Sequence, residues 1–114
     1  MSSLKHFTTI KNSKEFNRVY KKATKTWHTP LFVLFYRKSE DIEKVGIVAS
    51  KKIGNAIKRN RAKRLLRAVF IRNIDRLKFG EFVLVAKPPL LEANFEELEK
   101  SYLYALERSK AKAS

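Results

Sequence analysis

A basic stretch with helical periodicity, about residues 58–73, stands between two short apolar runs, 45–49 (VGIVA) and 81–86 (EFVLVA). Runs rich in Val, Ile and Phe read as strands, whereas apolar residues recurring every three or four positions read as a helix. A helix between two strands implies a crossover connection and a mixed sheet with helices packed on it. The general chirality rule favours a right-handed crossover.

The remaining segments arrange themselves around this unit. Asn12, with Glu15 three residues later, forms a capping box opening a helix that carries Phe16, Val19, Tyr20 and Ala23 at helical spacing. Thr29-Pro30 breaks that pattern, and residues 31–36 (LFVLFY) read as a buried strand. Residues 37–44 are a polar connection, and Gly54-Asn55 lies in the loop that leads to the basic helix. Gly80 and then Pro88-Pro89 bracket the third strand. Asn94 and Glu97 form a second capping box, before a helix with Phe95, Leu98, Tyr102, Ala105 and Leu106 along one stripe. The expected order is α-β-β-α-β-α, an α/β chain with helices packed on a mixed central sheet. Residues 1–11 read as a flexible basic arm and 109–114 as a polar tail.

A chain of 114 residues is expected to form one domain burying roughly two-thirds of its extended surface. Eight Phe, four Tyr and one Trp supply a core that a disordered basic tail would lack. With 26 Lys and Arg against 11 Asp and Glu, the net charge of +15 calls for an acidic partner, nucleic acid before an anionic membrane. The absence of Cys excludes disulfides, thiolate catalysis and Cys-ligated metal sites. No signal-peptide pattern opens the chain, and the run 31–36 is too short to span a bilayer, so the cytoplasm is the expected location.

No catalytic constellation is legible. His6 and His28 lack motif partners for metal binding or acid–base work, and three glycines in all leave no phosphate-binding loop. Glu96, Glu97 and Glu99 suit the N-terminal half of the last helix.

Charge is concentrated instead in residues 51–72, which hold nine Lys or Arg and no acid. A merely solvated face mixes signs. On a helical wheel Ala62, Leu65, Leu66 and Val69 fall together and anchor the helix. Asn60, Lys63, Arg64 and Arg67 fall opposite, with Arg59 and Arg61 on the flanks. Guanidinium forks suit phosphate, Asn60 suits a ribose or base edge, and the helix N-terminus adds exposed N–H groups. Lys51, Lys52 and Asn55 feed the same end. Ile71 falls on the basic face, where neither anchoring nor phosphate contact accounts for it. A membrane-surface helix is disfavoured because its apolar stripe is needed for the core.

Residues 50–56 (SKKIGNA), followed by Arg59-Asn60-Arg61, Lys63-Arg64 and Arg67, resemble the signature of the bacterial ribonuclease P protein family, whose RNR motif stands here as Arg59-Asn60-Arg61. The resemblance spans nearly the whole chain. It implies a compact α/β fold, an α+β sandwich, with a left-handed βαβ crossover that overrides the general rule. It also implies that Lys51, Lys52, Asn55, Arg59, Asn60, Arg61, Lys63, Arg64 and Arg67 contact the catalytic RNA. In that family a cleft between the first helix and the sheet holds the single-stranded 5′ leader of precursor tRNA. The matching residues are Phe16, Tyr20 and Phe35, with Lys14, Arg18 and Lys21 supplying charge. Taken by themselves, Phe16 and Tyr20 at i, i+4 favour a core-facing stripe, a preference the resemblance reverses, and Phe35 stands where the family can carry Tyr. Trp27 receives no role.

The resemblance further implies that hydrolysis belongs to the RNA with its bound Mg²⁺, the protein holding no metal or catalytic residue of its own. Ribonuclease P RNA and precursor tRNA are the implied partners, with neither a membrane nor an obligatory protein partner. Two other classes fit the composition: a structural RNA-binding module such as a ribosomal protein, and a free-standing nuclease acting through its own acids.

Overall fold

The computed structural model describes residues 7–40 and 42–111. Five strands form one mixed sheet: β1 (Thr8–Thr9), β2 (Lys25–His28), β3 (Phe32–Lys38), β4 (Glu43–Val48) and β5 (Gly80–Ala86). Their order across the sheet is β1-β4-β5-β3-β2. β4 pairs parallel with both β1 and β5, while β3 pairs antiparallel with β5 and β2. Helix α2 (Ala56–Arg72) is the crossover from β4 to its parallel neighbour β5, as the pattern of two apolar runs around a helix required. α1 (Ser13–Lys22) precedes β2, and α3 (Phe95–Arg108) ends the fold.

Alternation along the central strands creates two unlike faces. Phe32, Leu34 and Tyr36 of β3 and Phe82, Leu84 and Ala86 of β5 are buried on the face covered by α2 and α3. Ala62, Leu66, Val69 and Phe70 of α2 meet Leu98, Tyr102, Ala105 and Leu106 of α3 over that face. Each large apolar side chain among them contributes roughly 1.5–3 kcal/mol by leaving water, and each Ala less. On the opposite face α1 packs, with the buried Ile10 beside it. Val19 and Val83 are fully buried there, while Phe16, Tyr20, Phe35, Val48 and Val85 are only partly covered. The sheet therefore has one closed side and one half-open side.

Both capping boxes were legible in sequence, but only the second closes as a reciprocal box. Asn12 Oδ1 accepts from the Glu15 N–H at 2.9 Å, while the Glu15 carboxylate accepts from the Lys11 N–H. Asn94 and Glu97 cap each other in both directions.

Several boundaries depart from the sequence reading. Residues 7–11, expected within a flexible arm, are tied to the sheet: the Ile10 N–H donates to the Val45 carbonyl at 2.8 Å. Phe7 sets its ring edge-on to Phe70, with centroids 5.1 Å apart. Residues 1–6, including His6, lie outside the described residues. The tail is likewise partly built in. Ser109 and Ala111 are buried, and the Ala111 carbonyl accepts from the Lys78 N–H at 2.8 Å, whereas residues 112–114 lie outside the description. The polar connection narrows because β3 runs on to Lys38 and β4 starts at Glu43, both ends pairing with Gly80 of β5. β2 was not anticipated. Its Trp27 packs toward α3, 5.9 Å from Tyr104 and 5.3 Å from the Arg108 guanidinium.

Candidate nucleic-acid interface

The start of α2 is built to be rigid. Ile53 is buried as the anchor of a single 3-10 turn, Lys51–Ile53, and Ser50 caps that turn. Gly54 then adopts φ +135°, a conformation that L side chains rarely take, and brings the chain round to the helix. Asn55 is the N-cap: its Oδ1 accepts from the Lys58 N–H at 3.0 Å. Arg59 reaches back and donates from Nη1 to the Gly54 carbonyl at 2.7 Å. Asn55 and Arg59, both expected to contact RNA, thus spend part of their hydrogen bonding on bracing the loop. No acid stands in the first turn of α2, so the positive end of the helix is uncompensated.

Beyond that turn the basic residues point outward. Lys51, Lys52, Asn60, Arg61, Arg64 and Arg67 are exposed, and Lys63 is half-buried. Among the described residues none of these cations is paired with a carboxylate; the ion pairs are Arg18 and Arg37 with Glu81, Lys44 with Glu15, and Arg72 with Glu99. Neutralisation on α2 begins only at Arg72, in its last turn. Asn60, Lys63, Arg64 and Arg67, with the exposed Ile57, line one shallow concavity. Such a row of unpaired cations with amide hydrogen-bonding capacity matches a nucleic-acid backbone.

The second cluster lies on the half-open face. Phe16 and Tyr20, one turn apart on α1, have near-parallel rings 6.3 Å apart, and Tyr20 stands edge-on to Phe35 of β3 at 4.8 Å. All three rings are half-buried. The trio packs on Val19 and Val83 while part of each ring stays open to solvent, so the core-facing stripe that the spacing favoured is only half closed. Burial pushes the Tyr20 phenol up, keeping it neutral. Lys14 and Lys21 are exposed. Arg18 is committed to Glu81 Oε2 at 2.7 Å, and Arg37 holds Oε1 at 2.7 Å. Lys44 pairs with Glu15, whose carboxyl the Lys44 hydrogen bond holds below its ordinary value.

Sequence reasoning overlooked Glu81, Arg37 and Lys44, the residues that position α1 over the sheet. The one available signal was an acid at the head of a buried apolar run, which demands a cationic partner. It also overlooked Gly46. A Cβ there would stand 2.4 Å from Cε1 of Phe16, so the missing side chain is the seat of that ring. Gly46→Ala is expected to destabilise the protein by about 1–3 kcal/mol through overpacking, with the Phe16 ring resonances shifting in NMR. An unchanged Tm with unmoved resonances would show that the seat is not needed.

Among the described residues no group of His, Asp or Glu side chains could hold a metal ion, and no helix is long and apolar enough to cross a membrane.

Comparison with known proteins follows the same line. The family model described as Ribonuclease P matches residues 4–110. The ribonuclease P protein component of a Nitratiruptor species is 47% identical over 107 residues, covering 94% of this chain and 96% of that relative. That of Bacillus cereus (strain AH187) is 37% identical over 102 residues, covering 88% of this chain and 89% of the relative. The solved structure of the Staphylococcus aureus RNase P protein superposes with TM-score 0.80 at 27% identity, covering 93% of this chain and 98% of that one. The Thermotoga maritima RNase P protein gives TM-score 0.76 at 28% identity, covering 88% and 96%. The fold, the basic face of α2 and these relatives agree: the chain belongs to the ribonuclease P protein family, the protein component of the bacterial ribonucleoprotein.

Proposed function

We propose that this chain is the RNA-binding subunit of a ribonuclease P in which the RNA performs the chemistry. α2 and the loop before it meet the ribonuclease P RNA through Lys51, Lys52, Arg59, Asn60, Arg61, Lys63, Arg64 and Arg67, with Asn55 shaping the loop. The cleft between α1 and the sheet takes the unpaired 5′ leader of precursor tRNA, whose bases stack on Phe16, Tyr20 and Phe35. Ring stacking tolerates varied leader sequences because every base has a π-face. Lys14 and Lys21 attract the leader backbone, and Arg18 adds positive potential while anchored on Glu81. Hydrolysis of the phosphodiester, leaving a 5′-phosphate on the tRNA, falls to the RNA and its Mg²⁺. The setting is the cytoplasm, where precursor tRNA is made and trimmed.

The observation that carries this reading is the row of unpaired cations on α2, set on a rigidly capped helix, with no carboxylate opposite it among the described residues. A backbone polyanion supplies the missing charge. The test is cleavage of a leader-bearing precursor tRNA by a bacterial ribonuclease P RNA at low Mg²⁺, with and without the protein. The protein is expected to restore accurate 5′ cleavage and to do nothing without the RNA. Cleavage by RNA-free protein would overturn the division of labour. RNA binding without rescue would favour a purely structural RNA-binding module.

A further inference from the structure

Behind the basic row lies a cavity of ≈ 360 Å³ between α2 and the β1–β4 edge of the sheet. Its inner walls are apolar: Val45 and Ile47 from β4, Phe70 from α2, and Ile74 just beyond the helix. Lys63 and Arg67 line it as well, and they also line the concavity on the outer side of the helix. Ile71, which neither core packing nor phosphate contact explained, is 57% exposed and forms part of this lining. Lys63, Arg67 and Ile71 follow one another at i, i+4 and i+8, a single line of side chains along the helix.

We propose that this cavity is a pocket for one unstacked nucleobase of the partner RNA, its phosphate held by Lys63 and Arg67. The inference rests on the reading of α2 as the face that meets RNA. The size suits a drug-sized ligand, for which pockets start at about 300 Å³. The composition is that of a base site: a flat apolar ring enters among Val45, Ile47, Ile71 and Ile74, over a floor that Phe70 closes from beneath, while the charged end stays with two cations at its side. Thr9, exposed on the edge strand β1, is part of the lining, and its hydroxyl is of the kind that can donate to or accept from a base edge. Single-stranded RNA is recognised in this manner, by bases turned out of the stack onto side chains. An apolar peptide would find two unpaired cations and no acid in the lining, whereas a polyanion complements them. Ile71 then has a reason to stand in solvent beside arginine: it closes over the base.

Two measurements on the full chain test this. In binding to a bacterial ribonuclease P RNA across a salt series, Ile71→Ser is expected to weaken affinity about 10-fold. Its salt slope should match that of the parent protein, because no phosphate contact is lost. Arg64→Ala, outside the cavity, should make the slope shallower by about one. If Arg64→Ala changes neither affinity nor slope, the RNA-facing reading of α2 falls and takes the pocket with it. If Arg64→Ala behaves as expected while Ile71→Ser binds within twofold of the parent, the pocket alone is overturned. In the second measurement, methyl NMR follows Val45, Ile47, Ile71 and Ile74 during titration with nucleoside 5′-monophosphates and, separately, with ribose 5-phosphate. Saturable shifts with the nucleotides only are expected. Equal shifts with ribose 5-phosphate would reduce the site to a phosphate contact. Shifts on concentrating the protein without nucleotide would assign the cavity to a second copy. Either result overturns the proposal.

Discussion

Replacing Glu81 with glutamine should lower the stability of the free protein by about 2–3 kcal/mol and its Tm by roughly 10 °C. Glu81 is fully buried and accepts one guanidinium hydrogen bond on each oxygen, from Arg18 on α1 and from Arg37 on β3. Losing one partner of a buried pair costs about 3–5 kcal/mol, because the charge left behind has no water to return to. Here the charges left behind are arginines whose side chains are 37% and 26% exposed, which rehydrate in part and bring the loss below that range. The converse change, Arg18→Met with Arg37→Met, leaves the carboxylate buried and unpaired and should cost more than Glu81→Gln. Thermal and urea unfolding of both variants measures the ordering. If Glu81→Gln stays within about 0.5 kcal/mol of the parent, the bridge is energetically idle. A triple variant with Leu at 81 and Met at 18 and 37 should recover most of the stability, since an apolar set of similar volume avoids desolvation altogether. What it should not recover is the placement of α1, because the bridge ties that helix to one position on β3 and β5.

This bridge also marks where sequence reading stopped. Elements whose periodicity is self-contained were legible: α2 with Ala62, Leu66 and Val69, the strands around 31–36 and 81–86, and the capping box at Asn94 and Glu97. What stayed hidden depends on partners far away in the chain. Thr8–Thr9 is a two-residue strand with no period to detect, and it exists because Ile10 and Phe7 find β4 and α2. β2 is an edge strand covered on one side only, so just one of its four residues, Trp27, even partly leaves solvent. Phe70 belongs to the buried side of α2 and Leu65 only partly does, a shift caused by Phe7 and Phe82 closing around the Phe70 ring. On α2, charge segregation pointed to the basic face but not to the division of labour within it. That Asn55 caps and Arg59 clamps the loop follows from the turn at Gly54, and that Arg61, Arg64 and Arg67 stand apart from the ion pairs follows from where the fold places the acids.

The aromatic trio on the half-open face gives the largest functional effect expected of any substitution here. Tyr20→Ala combined with Phe35→Ala should weaken holoenzyme binding of a leader-bearing precursor by about 10–100-fold, the roughly 1–3 kcal/mol of one base that loses the two adjoining rings it stacks on. Binding of mature, leaderless tRNA should change less than about twofold, because no base then occupies the cleft. The two rings are half-buried and meet each other at 4.8 Å, so the double variant also loses some stability. Unfolding curves must show it folded at the assay temperature, and Tyr20→Phe supplies a milder probe. That variant keeps the ring and removes only the hydroxyl, and it should bind the precursor like the parent if stacking is the source of affinity. A loss with Tyr20→Phe comparable to that with Tyr20→Ala would move the interaction from the ring to the phenol. Equal losses for precursor and leaderless tRNA would return Phe16, Tyr20 and Phe35 to a purely structural part in seating α1. The half-open sheet face would then be left with no leader to hold.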